Sequence, residues 1–276
     1  MRAFRAVAAA KINLALVVGP RRGDGLHEVA TVLQRVDLCD RLELSPAPRL
    51  AVEGFTCDTI VARALSGLAR EAGVEPAWRV RITKEIPVAA GLGGGSADAA
   101  AALQLGNAAV PEPLGPDRLH GLAASLGADV PFFLDPGPKL AEGAGERLTP
   151  LELPQDFWVT IALSRAVEKR STGDVYARFD ALGGGPGFEL RKEALLSALQ
   201  EVRRPRDLAD LPPNDLAEAS GAAPLAVALR AAGALRADVS GAGPAVYGLF
   251  GSRSEARAAA RRLSRRVRTW TAPAVW

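Results

Sequence analysis

The stretch IPVAAGLGGGSADAAAALQLG, residues 86–106, sets the reading of the whole chain. It runs from a strand end through a cluster of glycines into an Ala-rich helix, for which Ser96 is the expected N-cap. A helix N-terminus offers N–H groups with no partner inside the helix and a partial positive charge, and adjacent glycines let the backbone come close to a phosphate. Gly91, Gly93, Gly94, Gly95 and Ser96 are in position to do this. The pattern is not a Walker A loop, because no Lys-Ser or Lys-Thr follows the glycines, and Ser96 stands where G-x-G-x-x-G requires its last glycine. Read alone, the loop is either a flexible turn or a phosphate cradle, and the strand before it and the long helix after it favour the cradle. Asp98 reads as a further cap, while Ser96 can also face a phosphate-bound Mg²⁺, which prefers oxygen ligands.

Residues 78–83 lead into this stretch as an alternating strand, and Lys84 follows them. Further upstream, Lys11, Asn13 and Ala15 alternate with Ile12, Leu14 and Leu16, which predicts a strand with a polar working face over residues 11–17. Residues 41–44 and 50–52 flank SPAPR and read as a hairpin, followed by a helix over 58–72. Downstream, a helix over 117–126 stops at Gly127 and enters ADVPFFL. The Pro- and Gly-containing residues 135–154 predict a domain boundary, with AEGAGERLTPL able to pair as a hairpin inside it. The remainder reads as strand, helices, two strands around a glycine turn, helix and strand, an α+β sandwich in which GGGPG at 183–187 is a mobile surface loop. The expected division is residues 1–153 and 154–276.

With 276 residues, 48% apolar and 24% charged, the chain is an ordinary globular protein. Its 34 basic and 31 acidic side chains leave a formal charge of +3, so no dedicated nucleic-acid surface is implied. Arg257, Arg261 and Arg265, around RRLSRRVR, fall on one helical face without interleaved aromatics and read as solvated. Cys39 and Cys57 form no metal or disulfide pattern, and the apolar N-terminal stretch carries Lys11 and Asn13, too polar for a membrane span or signal peptide. A cytoplasmic protein without membrane or nucleic-acid partners, monomeric or weakly dimeric, is expected. Lysine and histidine are scarce: Lys11, Lys84, Lys139, Lys169, Lys192, His27 and His120 are the full set.

Three further places can carry chemistry. Phosphoryl transfer needs charge neutralisation and a group to take the attacking hydroxyl's proton, which an ammonium and a carboxylate such as Lys11 and Asp129 supply. Taken singly, Lys11 is a solvated strand-edge lysine and Asp129, in LGADVP, a turn residue. His27 follows a tight turn close to the polar face of the first strand, whereas His120 lies in an ordinary helix pattern. Ser240, Gly241 and Gly243 make a second tight turn that reads first as a hairpin connection.

In order along the chain, AAKINLAL, DGLHEVATVLQRVDLCDRL, the 86–106 stretch, LGADVPFFL, AEGAGERL and SGAGPAVYGLF resemble the GHMP kinases, from about Lys11 to Phe250. The DG-x-H-E and GADVP segments resemble most closely the branch acting on 4-diphosphocytidyl-2-C-methyl-D-erythritol in the non-mevalonate isoprenoid route. The resemblance implies a ribosomal-protein-S5-like N-terminal domain, a ferredoxin-like C-terminal domain and an active site between them. It implies ATP and Mg²⁺ as cofactors and transfer of the γ-phosphoryl group to the acceptor's 2-hydroxyl. By the same resemblance Asp129 and Lys11 are the catalytic pair, and Asp129 also contacts the substrate. Asn13, His27 and Tyr176 (in STGDVY) are substrate-binding, with His27 beside the cytosine and Tyr176 stacking on it. Lys84, Gly91, Gly93, Gly94, Gly95 and Ser96 hold the nucleotide. This chain has Leu26 where the family commonly has Tyr, and Ala97 in place of a frequent second Ser. Members acting on mevalonate or homoserine are the nearest rivals, disfavoured by DGLHE; a nucleotide-binding regulatory module is disfavoured by Lys11 and Asp129 together.

Overall fold

The structure, a computed structural model, describes residues 3–55, 59–164, 170–263 and 267–276. Cys57, the expected helix start at Asp58, Lys169 and Arg265 lie outside the described residues. In chain order the elements are β1 (Phe4–Arg21), β2 (His27–Pro46), β3 (Ala51–Glu53), α1 (Thr59–Ala72), β4 (Trp78–Thr83), α2 (Gly94–Ala109), α3 (Pro116–Leu126), β5 (Lys139–Gly143), β6 (Arg147–Pro150), β7 (Trp158–Ser164), α4 (Thr172–Ala181), α5 (Phe188–Glu201), α6 (Ala217–Ser220), α7 (Ala223–Ala231), β8 (Arg236–Val239), β9 (Val246–Phe250), α8 (Arg253–Arg262) and β10 (Val267–Val275). They form two compact units that are interleaved along the chain: residues 1–10, 39–88 and 93–136 in one, and 11–38, 89–92 and 137–276 in the other. The division falls within β1 and within β2, so each of these strands contributes residues to both units.

In the first unit, β4 alternates as expected, with Trp78, Val80 and Ile82 buried and Arg79, Arg81 and Thr83 outward. It pairs antiparallel with β2 from Arg41↔Thr83 to Pro46↔Trp78. The hairpin expected between 41–44 and 50–52 does not form: β3 pairs instead with β4, in parallel, from Ala51↔Arg79 to Glu53↔Arg81. Pro46 and Pro48 lack N–H donors and have fixed φ, which stops the β2 ladder, and β4 takes the edge of β2. Helices α1, α2 and α3 pack against one another. Close approach is set by small residues: a Cβ at Gly106 of α2 would fall 2.4 Å from Leu68 of α1, and one at Gly67 of α1 2.8 Å from Leu122 of α3.

In the second unit, β2 pairs with β5 from Val29↔Gly143 to Leu33↔Lys139, and β5 with β6, so AEGAGERLTPL is a hairpin. The end of β10 reaches β2 at Ala274↔Val36. Beyond it the antiparallel order is β10-β7-β9-β8. Numbered within this segment that order is 4-1-3-2, the ferredoxin-like arrangement, and α7 and α8 cover the sheet through Ala226, Leu229, Ala256 and Ala259. The GGGPG segment is more than a surface loop. Gly184 packs on Phe179 so closely that a Cβ would lie 2.3 Å from its ring, Gly185 is buried, and Gly187 caps α5.

Candidate active site

The first turn of α2 is built by glycine. Its N-cap is Gly93 at φ 69°, ψ 14°, a left-handed conformation that glycine adopts without a Cβ penalty. The helix therefore starts before Ser96, which is its third residue and not the expected cap. No side chain caps α2, and the first bond into it runs from the Ala97 N–H to the Gly93 carbonyl at 2.9 Å. The amides of Gly94, Gly95 and Ser96 thus have no acceptor inside the helix.

Asp98 is not a cap either. It is fully buried and its Oδ2 holds the Lys84 ammonium at 2.6 Å, while Asp40, also fully buried, holds the same nitrogen at 2.5 Å. Asp40 in turn accepts the N–H groups of Glu85 (2.6 Å) and Ile86 (2.9 Å), the residues that lead into the glycine loop. Burial by itself lowers the Lys84 pKa, but the hydrogen bonds and charges of Asp40 and Asp98 outweigh it and hold the group above the ordinary lysine value. Two carboxylates and one ammonium sum to a single negative charge. The cluster's physical effect is to lock the start of α2 to β2 and to the end of β4, beside Gly94.

The other half of the loop, residues 89–92, belongs to the unit that contains Lys11. The Ser240 hydroxyl donates to the Gly91 carbonyl at 2.9 Å, and the Ala245 N–H to the Ala90 carbonyl at 3.0 Å. The Lys11 N–H donates to the Leu92 carbonyl at 2.9 Å. Gly91 is at φ +83°, and a Cβ there would sit 2.1 Å from the Ser240 carbonyl, so only glycine fits. Lys11 is 4% exposed, not the solvated strand-edge lysine of the isolated reading, because β1 is buried on both faces at this point. Its ammonium donates to Asn13 Oδ1 at 2.7 Å; Asn13 Nδ2 donates to the Thr31 hydroxyl at 2.8 Å, and that hydroxyl donates to the Ala15 carbonyl at 2.6 Å. Gly241 closes the group, its Cβ direction pointing at Asn13 Oδ1 (3.4 Å) and Lys11 Nζ (3.6 Å). The SGAGP turn is thus part of the site and not merely a connection.

A buried polar layer fixes this face from behind. The Tyr247 hydroxyl donates to the Leu14 carbonyl and accepts from Arg236 Nε, both at 3.1 Å, and burial pushes its pKa up to about 12. Asn214 donates to the carbonyls of Val239 (2.9 Å) and Gly241 (2.7 Å). Burial also raises the Asp238 carboxyl, opposed by Arg236 beside it.

A second group lies in the same unit at the start of β2. The Arg22 N–H closes the turn onto the Leu26 carbonyl, leaving Leu26 55% exposed and His27 buried. His27 packs on Tyr176 with ring centroids 4.8 Å apart at 34°, meets Phe179 in a T-shaped arrangement at 6.3 Å, and places Nε2 2.8 Å from Asp180 Oδ1. Tyr176, Phe179 and Asp180 come from α4, which starts at a Ser171 capping box with Asp174; the Ser171 hydrogen bonds lower the Asp174 pKa.

Asp129 lies partly buried in the turn after α3, in the first unit. Among the described residues no three His, Cys, Asp or Glu side chains converge on one point. Mg²⁺ commonly takes one or two protein oxygens and completes its shell with phosphates and water, so the Ser96 hydroxyl at the head of α2 would suffice beside the phosphates of a bound nucleotide. Among the described residues no helix is long and apolar enough to cross a membrane. Thr31, Asp40 and Asp180 were not singled out from sequence, and the Ser240–Gly241 turn was read first as a hairpin connection. Only the SGAGP glycines carried a local signal.

Residues 59–137 match the GHMP kinases N terminal domain and residues 224–269 the GHMP kinases C terminal domain. A 4-diphosphocytidyl-2-C-methyl-D-erythritol kinase of Anaeromyxobacter sp. (strain Fw109-5) is 38% identical over 96% of this chain and 88% of its own. The enzyme of the same name from Salinispora arenicola is 40% identical over 95% and 88%. A crystal structure of 4-(cytidine 5'-diphospho)-2C-methyl-D-erythritol kinase superposes with a TM-score of 0.81 at 33% identity, covering 99% of this chain and all of that one. A mevalonate kinase at 11% identity and TM-score 0.75 shares the fold. The motif order, the ferredoxin-like strand order and these likenesses agree: the chain belongs to the GHMP kinase superfamily, in the family of the 4-diphosphocytidyl-2-C-methyl-D-erythritol kinases.

Proposed function

We propose that the chain transfers the γ-phosphoryl group of ATP to the 2-hydroxyl of 4-diphosphocytidyl-2-C-methyl-D-erythritol, a step toward isoprenoid precursors. The observation that carries this reading is the meeting of Lys11, Asn13, Gly91 and Gly241: a buried ammonium, oriented by an amide, with Gly241 facing it and Gly91 packed against the Ser240 carbonyl where only glycine fits. Asp129 takes the proton of the attacking hydroxyl and contacts the acceptor. Lys11 orients the reacting groups and offsets the charge that moves from the γ-phosphoryl to the leaving ADP. Asn13 contacts the acceptor while holding Lys11.

The backbone at Gly91, Gly93, Gly94, Gly95 and Ser96 holds the triphosphate, with the amides at the head of α2 turned to its oxygens. Lys84 serves the nucleotide by anchoring this turn through Asp40 and Asp98. Ser96 would share a Mg²⁺ ion with the phosphates, and that ion would supply further charge neutralisation. His27 and Tyr176 receive the cytosine. Along the chain, residues 1–153 carry the nucleotide motifs and 154–276 complete the acceptor side, in a cytoplasmic monomer or weak dimer.

The test is ATP turnover on an acceptor panel: the full cytidine-diphosphate compound, methylerythritol phosphate without the cytidine group, mevalonate and homoserine. Turnover confined to the first is the expected result. Turnover of mevalonate or homoserine with none of the first would overturn the substrate assignment, and no ATP-dependent turnover of any acceptor would overturn the kinase reading.

A further inference from the structure

We propose that Asp180 is a positioning residue for base recognition: it holds His27 as the Nε2–H tautomer, so that Nδ1 is presented as a hydrogen-bond acceptor for an exocyclic amino group. This rests on the reading of His27 as the residue that meets the acceptor's base. The carboxylate can only accept, and Asp180 Oδ1 stands 2.8 Å from Nε2, so the neutral imidazole must carry its single hydrogen on that nitrogen. Among the described residues nothing else is recorded on the ring's hydrogen-bonding atoms. The ring is also held in place, 7% exposed, by Tyr176 tilted against it and by Phe179 in a T-shaped contact. Because Tyr176, Phe179 and Asp180 all come from α4, one helix supplies the stacking surface and the tautomer choice together.

Discrimination follows from donor and acceptor arithmetic. Cytosine offers an N4 amino donor to an acceptor nitrogen, whereas uracil offers the O4 carbonyl, which would leave two acceptors facing each other in a dry contact. The unmade bond disfavours a uridine-diphosphate acceptor by roughly tenfold to a hundredfold in kcat/KM. Asp180→Asn keeps the shape but can either accept from Nε2–H or donate to a bare Nε2, so it releases the tautomer. The Asp180 side chain is 44% exposed, so the substitution does not threaten folding.

The experiment compares kcat/KM for the cytidine- and uridine-diphosphate acceptors in the unmodified protein, Asp180→Asn and His27→Ala, and records the imidazole ¹⁵N spectrum, simple here because the chain has two histidines. The expected result is an Nε2–H tautomer for His27, and a cytidine-over-uridine ratio that falls at least roughly tenfold in Asp180→Asn with ATP KM unchanged. A His27 signal with hydrogen on Nδ1, or a ratio unmoved by Asp180→Asn although His27→Ala raises acceptor KM, overturns the proposal alone. If His27→Ala leaves acceptor KM unchanged as well, the underlying placement of the base is what fails.

Discussion

Replacing Lys84 by Met is the sharpest test of how the glycine loop is anchored. The substitution removes one cation from two carboxylates, Asp40 and Asp98, that are both fully buried and that hold the same nitrogen at 2.5 and 2.6 Å. Breaking a buried pair by removing one partner costs about 3–5 kcal/mol, and here two anions lose their shared partner, which places the expected loss at neutral pH near about 5 kcal/mol. Against an ordinary stability of about 5–15 kcal/mol that is a large fraction, and the variant should unfold at markedly lower urea.

The pH dependence carries the diagnosis. In the variant the two buried carboxylates lose the cation between them, and like charges confined together repel. Taking one of those charges away relieves the repulsion, so the deficit should shrink on mild acidification. In the unmodified protein the raised Lys84 pKa works on the alkaline side: its contribution is complete below the ordinary lysine value of 10.5 and is lost as pH climbs through the raised one. Adding Asp98→Asn to Lys84→Met should restore about 2 kcal/mol at neutral pH, because Asp40 keeps its two backbone donors. Urea unfolding at neutral and mildly acid pH measures all of this. A neutral-pH deficit below about 1 kcal/mol, or equal deficits at the two pH values, would refute the anchoring argument.

At the two ends of the loop, alanine should have opposite effects. Gly91→Ala puts a Cβ at positive φ and 2.1 Å from a backbone carbonyl, and should cost roughly 2–4 kcal/mol in unfolding measurements. Gly95→Ala has room, its nearest neighbour being Ile60 Cγ2 at 3.9 Å, so it should fold normally and raise ATP KM by obstructing the phosphate; an unchanged ATP KM removes Gly95 from the cradle. Asp129→Asn should lower kcat by about 10²–10⁴ with ATP affinity kept, and near-normal turnover would end its assignment as the base. In a Tyr176→Phe background, tyrosinate absorbance reports Tyr247, which should ionise only near about 12. The stability tied to that phenol is complete below its ordinary 10.0 and fades as pH rises to about 12; ionisation near the ordinary value would contradict the buried bonds to Leu14 and Arg236.

What could be read from sequence was what local chemistry decides. The alternation of Trp78 to Thr83 settled β4, the order of elements after residue 157 gave an α+β sandwich, and only the family resemblance made that segment ferredoxin-like. The glycines of 91–95 announced a backbone that must come close to something. What they come close to was hidden, because Ser240 meets Gly91 across 149 positions and Asp180 meets His27 across 153. The false hairpin at SPAPR has the same origin: a parallel partner for β3 is chosen by the sheet, not by the turn. Ser96 failed as a cap because Gly93 could take a left-handed φ first. The polar face of β1 was correctly placed on Lys11 and Asn13, but its burial depends on strands and turns that no alternation pattern contains.

The shared strands also determine what a cut in the chain would do. Because residues 11–38 belong to the same compact unit as 137–276, a nick at 153–154 severs a connection without freeing a module. The leading fragment would keep Lys11, Asn13 and His27, the trailing one Tyr176, Ser240 and Gly241, and the β2–β10 ladder and the Tyr247–Leu14 bond would span them. Neither piece alone could bury what it exposes, yet the two expressed together should reassemble and recover activity. In this protein complementation between fragments, not isolation of domains, is the natural dissection.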